Sequence, residues 1–364
     1  MCRPRIGPVA SSSGGDGQYR SDGGPRYLEA GDDGLSDWKD TIKHLSTVHR
    51  QGSEKNIFIV STARSGTTWL AELFATQGRF QVVHEPFNLR VDVVRETLGL
   101  DSWGQLLRPE NKPCMRRYLQ SFIDNRDVDR RFKRETPFSE FWHPVTDRVI
   151  FKILFAGEDD LDWFRRELGG HLVFLLRHPI PVAQSREEFP RLDSFMEPPF
   201  SENFTPGQLA AAREVRSAGN RFEIAVLDWC FQNALPLRQV RPEWTVLSYE
   251  QLVLDPEGVI GHLAARLRLG APDRMLARLY KASGSTGKSS RRSQEILRDP
   301  DAMRRNRRWL VDKWREHASP EQVEAAFRLL STFGISYYQR HDSLPPAQYL
   351  IHAAQDIPAS GDPV

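Results

Sequence analysis

Asn56-Ile57-Phe58-Ile59-Val60-Ser61-Thr62-Ala63-Arg64-Ser65-Gly66-Thr67-Thr68-Trp69-Leu70 decides the fold. An apolar, β-branched run reads as a buried parallel strand. A tight turn with one glycine and two threonines follows. The apolar-periodic segment Trp69 to Phe74 then opens a helix. Strand, tight turn and helix in that order build an anion cradle, because the N–H groups of the turn and of the first helical turn point at one spot. The helix dipole adds positive potential there, and Arg64 adds a full charge. A phosphate is the natural occupant. A generic Ser-Gly-Thr turn with an N-cap would look similar, so the reading needs a second phosphate site.

Further strands are expected at Phe80 to His84, Arg148 to Leu154, Leu172 to Leu176 and Trp244 to Ser248. Helical periodicity lies between and beyond them, as in Gln208 to Val240, Val259 to Leu269 and Glu321 to Phe333. That alternation predicts an α/β, three-layer domain with a central parallel sheet of four to five strands flanked by helices. Residues 1–35, rich in Gly, Ser and Asp, read as a disordered arm, and 36–340 as the folded domain. Residues 341–364 read as a loose tail. The stretch Val91 to Phe141 interrupts the alternation with helical patterning and arginines, among them Arg116, Arg117, Arg130, Arg131 and Arg134. It is expected to be an acceptor-binding insert, although a solvated helix face would account for those arginines equally.

The formal net charge of +2 argues against a dedicated nucleic-acid binder. The three cysteines, Cys2, Cys114 and Cys230, are far apart, with neither metal-ligand spacing nor a disulfide framework. No run approaches ~18 apolar residues, and the amino terminus lacks a signal-peptide core. The expectation is a cytoplasmic protein with no membrane span and no metal centre. Oligomeric state is not readable.

Leu175-Leu176-Arg177-His178-Pro179-Ile180-Pro181-Val182-Ala183-Gln184-Ser185 is the second strand-to-helix junction. Pro179 and Pro181 suit the first turn of a helix. Arg177 at the strand end and Ser185, eight residues on, could converge on one phosphate. A capping arginine and a surface serine are the plain alternative. A Walker A pattern is absent from the Arg64 turn, since the basic residue precedes Ser-Gly instead of following glycine. Ala282 to Ser289 is one residue short of that pattern but follows a helical run, so it reads as a basic loop.

Together the two junctions resemble the sulfotransferases that use 3′-phosphoadenosine-5′-phosphosulfate (PAPS), over roughly residues 55 to 340. The resemblance implies a P-loop-like fold, PAPS as sulfuryl donor and 3′-phosphoadenosine-5′-phosphate (PAP) as product. It implies that Arg64, Ser65, Gly66, Thr67 and Thr68 grip the 5′-phosphosulfate and that Arg177 and Ser185 hold the 3′-phosphate. Trp69 matches a position whose ring often lies against adenine, a core aromatic being the alternative. Trp244 to Leu252 resembles the family strand ending in Tyr-Glu-x-Leu, so Tyr249 would approach the adenine. Ser293 and, fifteen residues on, Arg308 resemble a pair that closes over the cofactor in the tyrosylprotein branch.

Arg64 would meet the charge on the leaving oxygen. Arginine at that position points to the carbohydrate and tyrosylprotein branches. The histidine that serves as base in the cytosolic small-molecule branch is replaced by Leu154. Other branches place a glutamate soon after the cradle, and Glu85 lies 21 residues after Arg64. His84 competes with it. Adjacent strand residues point to opposite faces, so one of the two would face the acceptor. Glu85 is favoured, and its pKa would need raising by burial for it to act near neutral pH. The expected reaction moves the sulfuryl group of PAPS to a small-molecule or glycan hydroxyl. A P-loop-type kinase and a non-catalytic nucleotide-binding protein are the rivals.

Overall fold

The structure is a computed structural model that describes residues 48–125, 143–279, 281, 293, 295–296 and 299–351. Seven strands are present among them: β1 (Val48–His49), β2 (Ile57–Ser61), β3 (Phe80–His84), β4 (Val145–Thr146), β5 (Arg148–Ile153), β6 (His171–Leu176) and β7 (Thr245–Ser248). Five form one parallel sheet in the order β3-β5-β2-β6-β7, and β1 pairs with β4 apart from it. β2 is central and buried at every residue, as its unbroken apolar run requires. The strands anticipated from sequence are found within a residue or so of their expected ends.

The two sides of β2 serve two cores. Phe58 and Val60 join Phe151, Phe174 and the helix Arg221–Arg238 on one face. Ile57 and Ile59 join Val173, Leu247 and the helices Thr67–Ala75 and Pro256–Leu267 on the other. The period of two in β2 thus feeds both layers. From β2 the chain builds β3 and then β5 on one side, and β6 and β7 on the other. Loops leaving the carboxyl ends of β2 and β6 therefore emerge side by side at a switch point, where ligands of open α/β sheets bind.

The expected helical run from Gln208 to Val240 is two helices, Pro206–Ala218 and Arg221–Arg238. Asn220 starts the second with a reciprocal capping box to Glu223, and a capped start ends the continuity that periodicity alone suggests. Arg221–Arg238 is buried on nearly all sides and carries polar groups inward. Its Asp228 pairs with Arg186 while a second buried pair joins Arg191 to Glu158. Removing one member leaves the other charged and buried. Arg186→Met is therefore expected to cost about 3–5 kcal/mol of stability, read as a fall in the urea midpoint.

Of the insert, Asp92–Leu98 and Lys112–Ile123 are helices, and 126–142, with Arg130, Arg131 and Arg134, lie outside the described residues. Arg116 and Arg117 are exposed, the former 3.5 Å from Glu167. The arm 1–35 and the loop Ala282 to Ser289 also lie outside. The start of the expected loose tail is tied down instead. Ser343 is buried between Trp314 and Asp312, and Gln251 exchanges two hydrogen bonds with the Ile351 backbone. Groups 29 to 100 residues upstream supply these partners, so local composition gave no sign of them. No helix among the described residues is long and apolar enough to cross a membrane.

Candidate active site

The cradle forms as its sequence suggests. The helix Thr67–Ala75 begins at Gly66, which has φ 90° and offers no side-chain cap. Its first backbone bond runs from the Leu70 N–H to the Gly66 carbonyl, 3.0 Å. The N–H groups of Gly66 through Trp69 are thus left for an external acceptor. Directly before them in the chain, the Ser65 hydroxyl is fully buried and has no partner. An orphaned buried hydroxyl beside four orphaned amides is unusual in a resting core and suits an anion.

Only glycine fits position 66. A Cβ there would stand 2.8 Å from Cδ2 of Tyr249, and its φ is one that L side chains rarely adopt. Arg64 also has a left-handed backbone, φ 73°, as does Glu85, φ 49°. Each costs of order 1–2 kcal/mol in a non-glycine residue, and such strain gathers at functional loops.

The second junction lies beside the first because β2 and β6 are paired, Ser61 opposite Leu175. The Arg177 guanidinium donates to the Arg64 carbonyl, 2.8 Å, and lies over the Tyr249 ring, 4.3 Å from its centroid. Its Nε is buried without a partner. Tyr249 also meets the buried Trp69 at 5.8 Å. Arg64, Gly66, Arg177 and Tyr249, which come from three separate segments, are thus one cluster. Trp69 belongs to the core and reaches the cluster only through Tyr249.

Ser185 and Arg308 sit differently from the expectation. Ser185 closes the helix Pro179–Ser185, is exposed, and donates back to the Pro181 and Val182 carbonyls at 2.9 and 3.0 Å. Only its acceptor lone pairs are left for a ligand unless the hydroxyl turns. Arg308 is exposed and pairs with Asp312 four residues on, as i,i+4 neighbours on a helix do. The buried Ser293 instead accepts from Lys313, 2.8 Å. Burial and then the Arg177 charge bring the Lys313 ammonium down to about 8. Sequence spacing missed Lys313. The signal was a lysine one turn past the arginine run, directly before Trp314.

The Arg177 charge therefore acts on two other cations. Partial desolvation and then the Arg177 charge also hold the Arg64 guanidinium below the usual arginine range, while Glu187 works against them. Three like charges around unpartnered donors are unfavourable unless an anion joins them.

Beyond the sheet, Glu85 and His84 do not alternate as neighbours on one strand. β3 ends at His84, and Glu85 follows it in a turn, its N–H on the Lys152 carbonyl at 2.8 Å. The left-handed turn, not the pleat, sets where its carboxylate goes. That carboxylate accepts from Lys152 Nζ at 2.8 Å and from Asn88 Nδ2 at 3.1 Å. Burial works to raise its pKa. The Lys152 charge and hydrogen bond, His84 and Asn88 outweigh burial and leave it below the usual carboxylate range. The expected upward shift is thus reversed, because Lys152 is itself buried one strand away. Leu154, at the position of the missing histidine, is buried.

The helix Arg221–Arg238 locks both loops from behind. Asn233 donates to the Thr62 hydroxyl, 2.9 Å, and the Trp229 indole to the Arg177 carbonyl, 3.1 Å. Nothing in the spacing of Asn233 or Trp229 marks these roles, since both are core positions of a long helix.

No family model matches the chain, and no curated protein sequence matches it. Among solved structures it is similar to the sulfotransferase domain of an olefin synthase from Synechococcus PCC 7002. The identity is 20% and the TM-score 0.39, over 80% of this chain and 99% of that one. It is also similar to a sulfotransferase domain from the curacin biosynthetic pathway (16%, TM-score 0.40, 79% and 99% covered). A mouse sulfotransferase complexed with PAP gives 15% identity and a TM-score of 0.38, over 82% and 89%. Likeness at this level assigns neither family nor activity, so function is argued from the residues.

Proposed function

We propose that the protein is a sulfotransferase that takes a sulfuryl group from PAPS and places it on an acceptor hydroxyl. One observation carries this reading: Arg177 fastens the Arg64 backbone and its charge acts on both Arg64 and Lys313, beside a helix start that has no side-chain cap and follows a buried, unpartnered Ser65 hydroxyl. A nucleotide with phosphates at both ends of its ribose answers that arrangement. The cradle takes the 5′ end, and Arg177 with Lys313 and Ser293 takes the 3′-phosphate. Tyr249, held over Arg177, offers a flat face to the base. A Walker lysine, which a triphosphate would call for, has no counterpart in the Arg64 turn.

When bound, PAPS would supply the sulfuryl group, whose bond to the 5′-phosphate oxygen breaks as the acceptor oxygen attacks sulfur. The chain's own residues then have separate tasks. Glu85 takes the acceptor proton, and Lys152 and Asn88 keep it ionised and aimed. Arg64 and the cradle amides stabilise charge on the departing phosphate oxygen. Arg177 fixes the Arg64 backbone through its carbonyl. The acceptor is a hydroxyl on a small molecule or glycan.

Calorimetric titration with PAP beside ATP tests the reading. Binding of PAP at least tenfold tighter than ATP is expected. ATP binding with no response to PAP would overturn the assignment.

A further inference from the structure

Glu250 is almost completely buried behind the nucleotide-facing surface, 1% exposed. Its Oε1 accepts the His178 backbone N–H at 2.9 Å and its Oε2 accepts the Tyr338 hydroxyl at 2.8 Å. β6 and β7 pair with Leu176 opposite Ser248, so Arg177–His178 and Tyr249–Glu250 leave the sheet as parallel steps. Glu250 closes the gap between them, and Arg177 and Tyr249, the residues before His178 and Glu250, belong to the nucleotide cluster. The third strand of this knot is the carboxyl-terminal segment. The His178 ring stacks on Trp314 at 4.6 Å and meets Tyr338 edge-on at 4.9 Å. Lys313 immediately precedes Trp314. One carboxylate thus fastens Arg177, Tyr249 and the segment that carries Lys313.

We propose that Glu250 is a positioning residue of the nucleotide site, and that a phosphate dianion at Arg177 drives a proton onto it. The proposal rests on reading Arg177 as a phosphate ligand. Burial opposes the ionised carboxylate, while the His178 N–H, then the Arg177 charge, and the Tyr338 hydroxyl favour it. A phosphate that neutralises Arg177 removes one of these supports and lets burial raise the carboxyl further. The proton has a place to sit. A carboxylic acid can accept from the His178 N–H on one oxygen and donate to the Tyr338 oxygen from the other, since a phenol both donates and accepts. The knot keeps its geometry in both states.

Glu250 titrates there near neutrality together with Lys313, whose contribution wild type and Glu250→Gln share. Burial already holds it at about 7. On the β6 side, burial and then the Arg315 and Arg177 charges keep His178 neutral, at about 3. From the carboxyl-terminal segment, burial holds Tyr337 and Tyr338 far above their ordinary range. On the helix Arg307–Asp312, Arg307 pairs with Glu257 and Arg308 with Asp312. Lys313 titrates higher, near 8, beside Arg177.

The test is calorimetry of PAP binding at pH 7.5 in two buffers of different ionisation enthalpy, which counts protons exchanged on binding. The wild type is expected to take up as much as about half a proton more than Glu250→Gln. Glutamine keeps an acceptor for His178 and a partner for Tyr338, so the variant binds PAP but cannot titrate at this position. Tyr338→Phe leaves the carboxyl with one donor fewer, and its proton uptake is expected to persist to higher pH. A purely structural Glu250 would alter affinity alone. Equal buffer dependence in wild type and Glu250→Gln, with PAP bound by both, overturns this inference and leaves the sulfotransferase reading standing. A wild type that does not bind PAP overturns both.

Discussion

Glu85→Gln is expected to lower sulfuryl transfer at least ~10²-fold, the lower end of what a positioned general base contributes. PAP affinity is expected to stay within a few-fold, because Glu85 lies at the end of β3 and outside the Arg64–Arg177 cluster. Glutamine can still accept from Lys152, so loss of packing does not explain a loss of rate. The wild-type pH profile is a second check. Glu85 has a pKa below its ordinary value, so it is ionised throughout neutral pH. Its limb of the rate profile is expected below about pH 4.5, with activity falling as pH drops through the lowered pKa. The same sign holds for stability: the Glu85–Lys152 pair contributes above the unfolded-state pKa and is lost as pH falls through the folded one. His84→Ala abolishing transfer while Glu85→Gln retains it would reverse the assignment of the base.

Arg177→Ala is expected to weaken PAP binding by about 10²-fold, roughly 2.7 kcal/mol. The guanidinium is placed to give the phosphate charge-assisted hydrogen bonds, each worth about 1.5–3 kcal/mol. It also holds the Arg64 carbonyl and packs on Tyr249, so its loss loosens the first site as well as the second. Arg177→Lys is expected to restore little, because an ammonium cannot reach the Arg64 carbonyl, the phosphate and the ring face together. Titration calorimetry reads the loss directly, and the PAP-induced rise in Tm should vanish with it. An Arg177→Ala protein that binds PAP within threefold of wild type would remove this residue from the site.

The legible parts of the site share one property: each is a local event at the carboxyl end of a strand. Arg64 to Thr68 and Arg177 each follow an apolar run and precede a helical pattern, so chain direction alone sends them to the same edge of the sheet. Gly66 is readable for the same reason, a tight turn before a helix. What made it obligatory, the Tyr249 ring against its Cα, comes from a segment more than 180 residues away.

Side-chain pairings are not legible in spacing alone. Arg308 fell at a suggestive interval from Ser293, yet it pairs with Asp312 one helical turn away, and Lys313 is the cation that meets Ser293. Glu85 was identifiable as a carboxylate near the cradle, but its protonation depends on Lys152 across the β3–β5 pairing. Burial alone predicts a raised pKa, and a buried counter-charge reverses the sign. Asn233 and Trp229 carry no motif of their own, and Glu250 lies in the Tyr-Glu-x-Leu stretch with no sign of its partners, because a hydrogen bond to another segment's backbone or hydroxyl leaves no periodicity.

The amino-acid order by itself determined a parallel α/β sheet and two strand-to-helix turns at one edge of it, since strand runs, turn residues and helix starts are short-range properties of the chain. Tertiary structure alone decided which cations share the anion site, how the candidate base is charged, and which buried carboxylate ties the site to the carboxyl-terminal segment. Those outcomes depend on distance and dielectric between groups 67 to 136 residues apart, quantities that only the packed fold supplies.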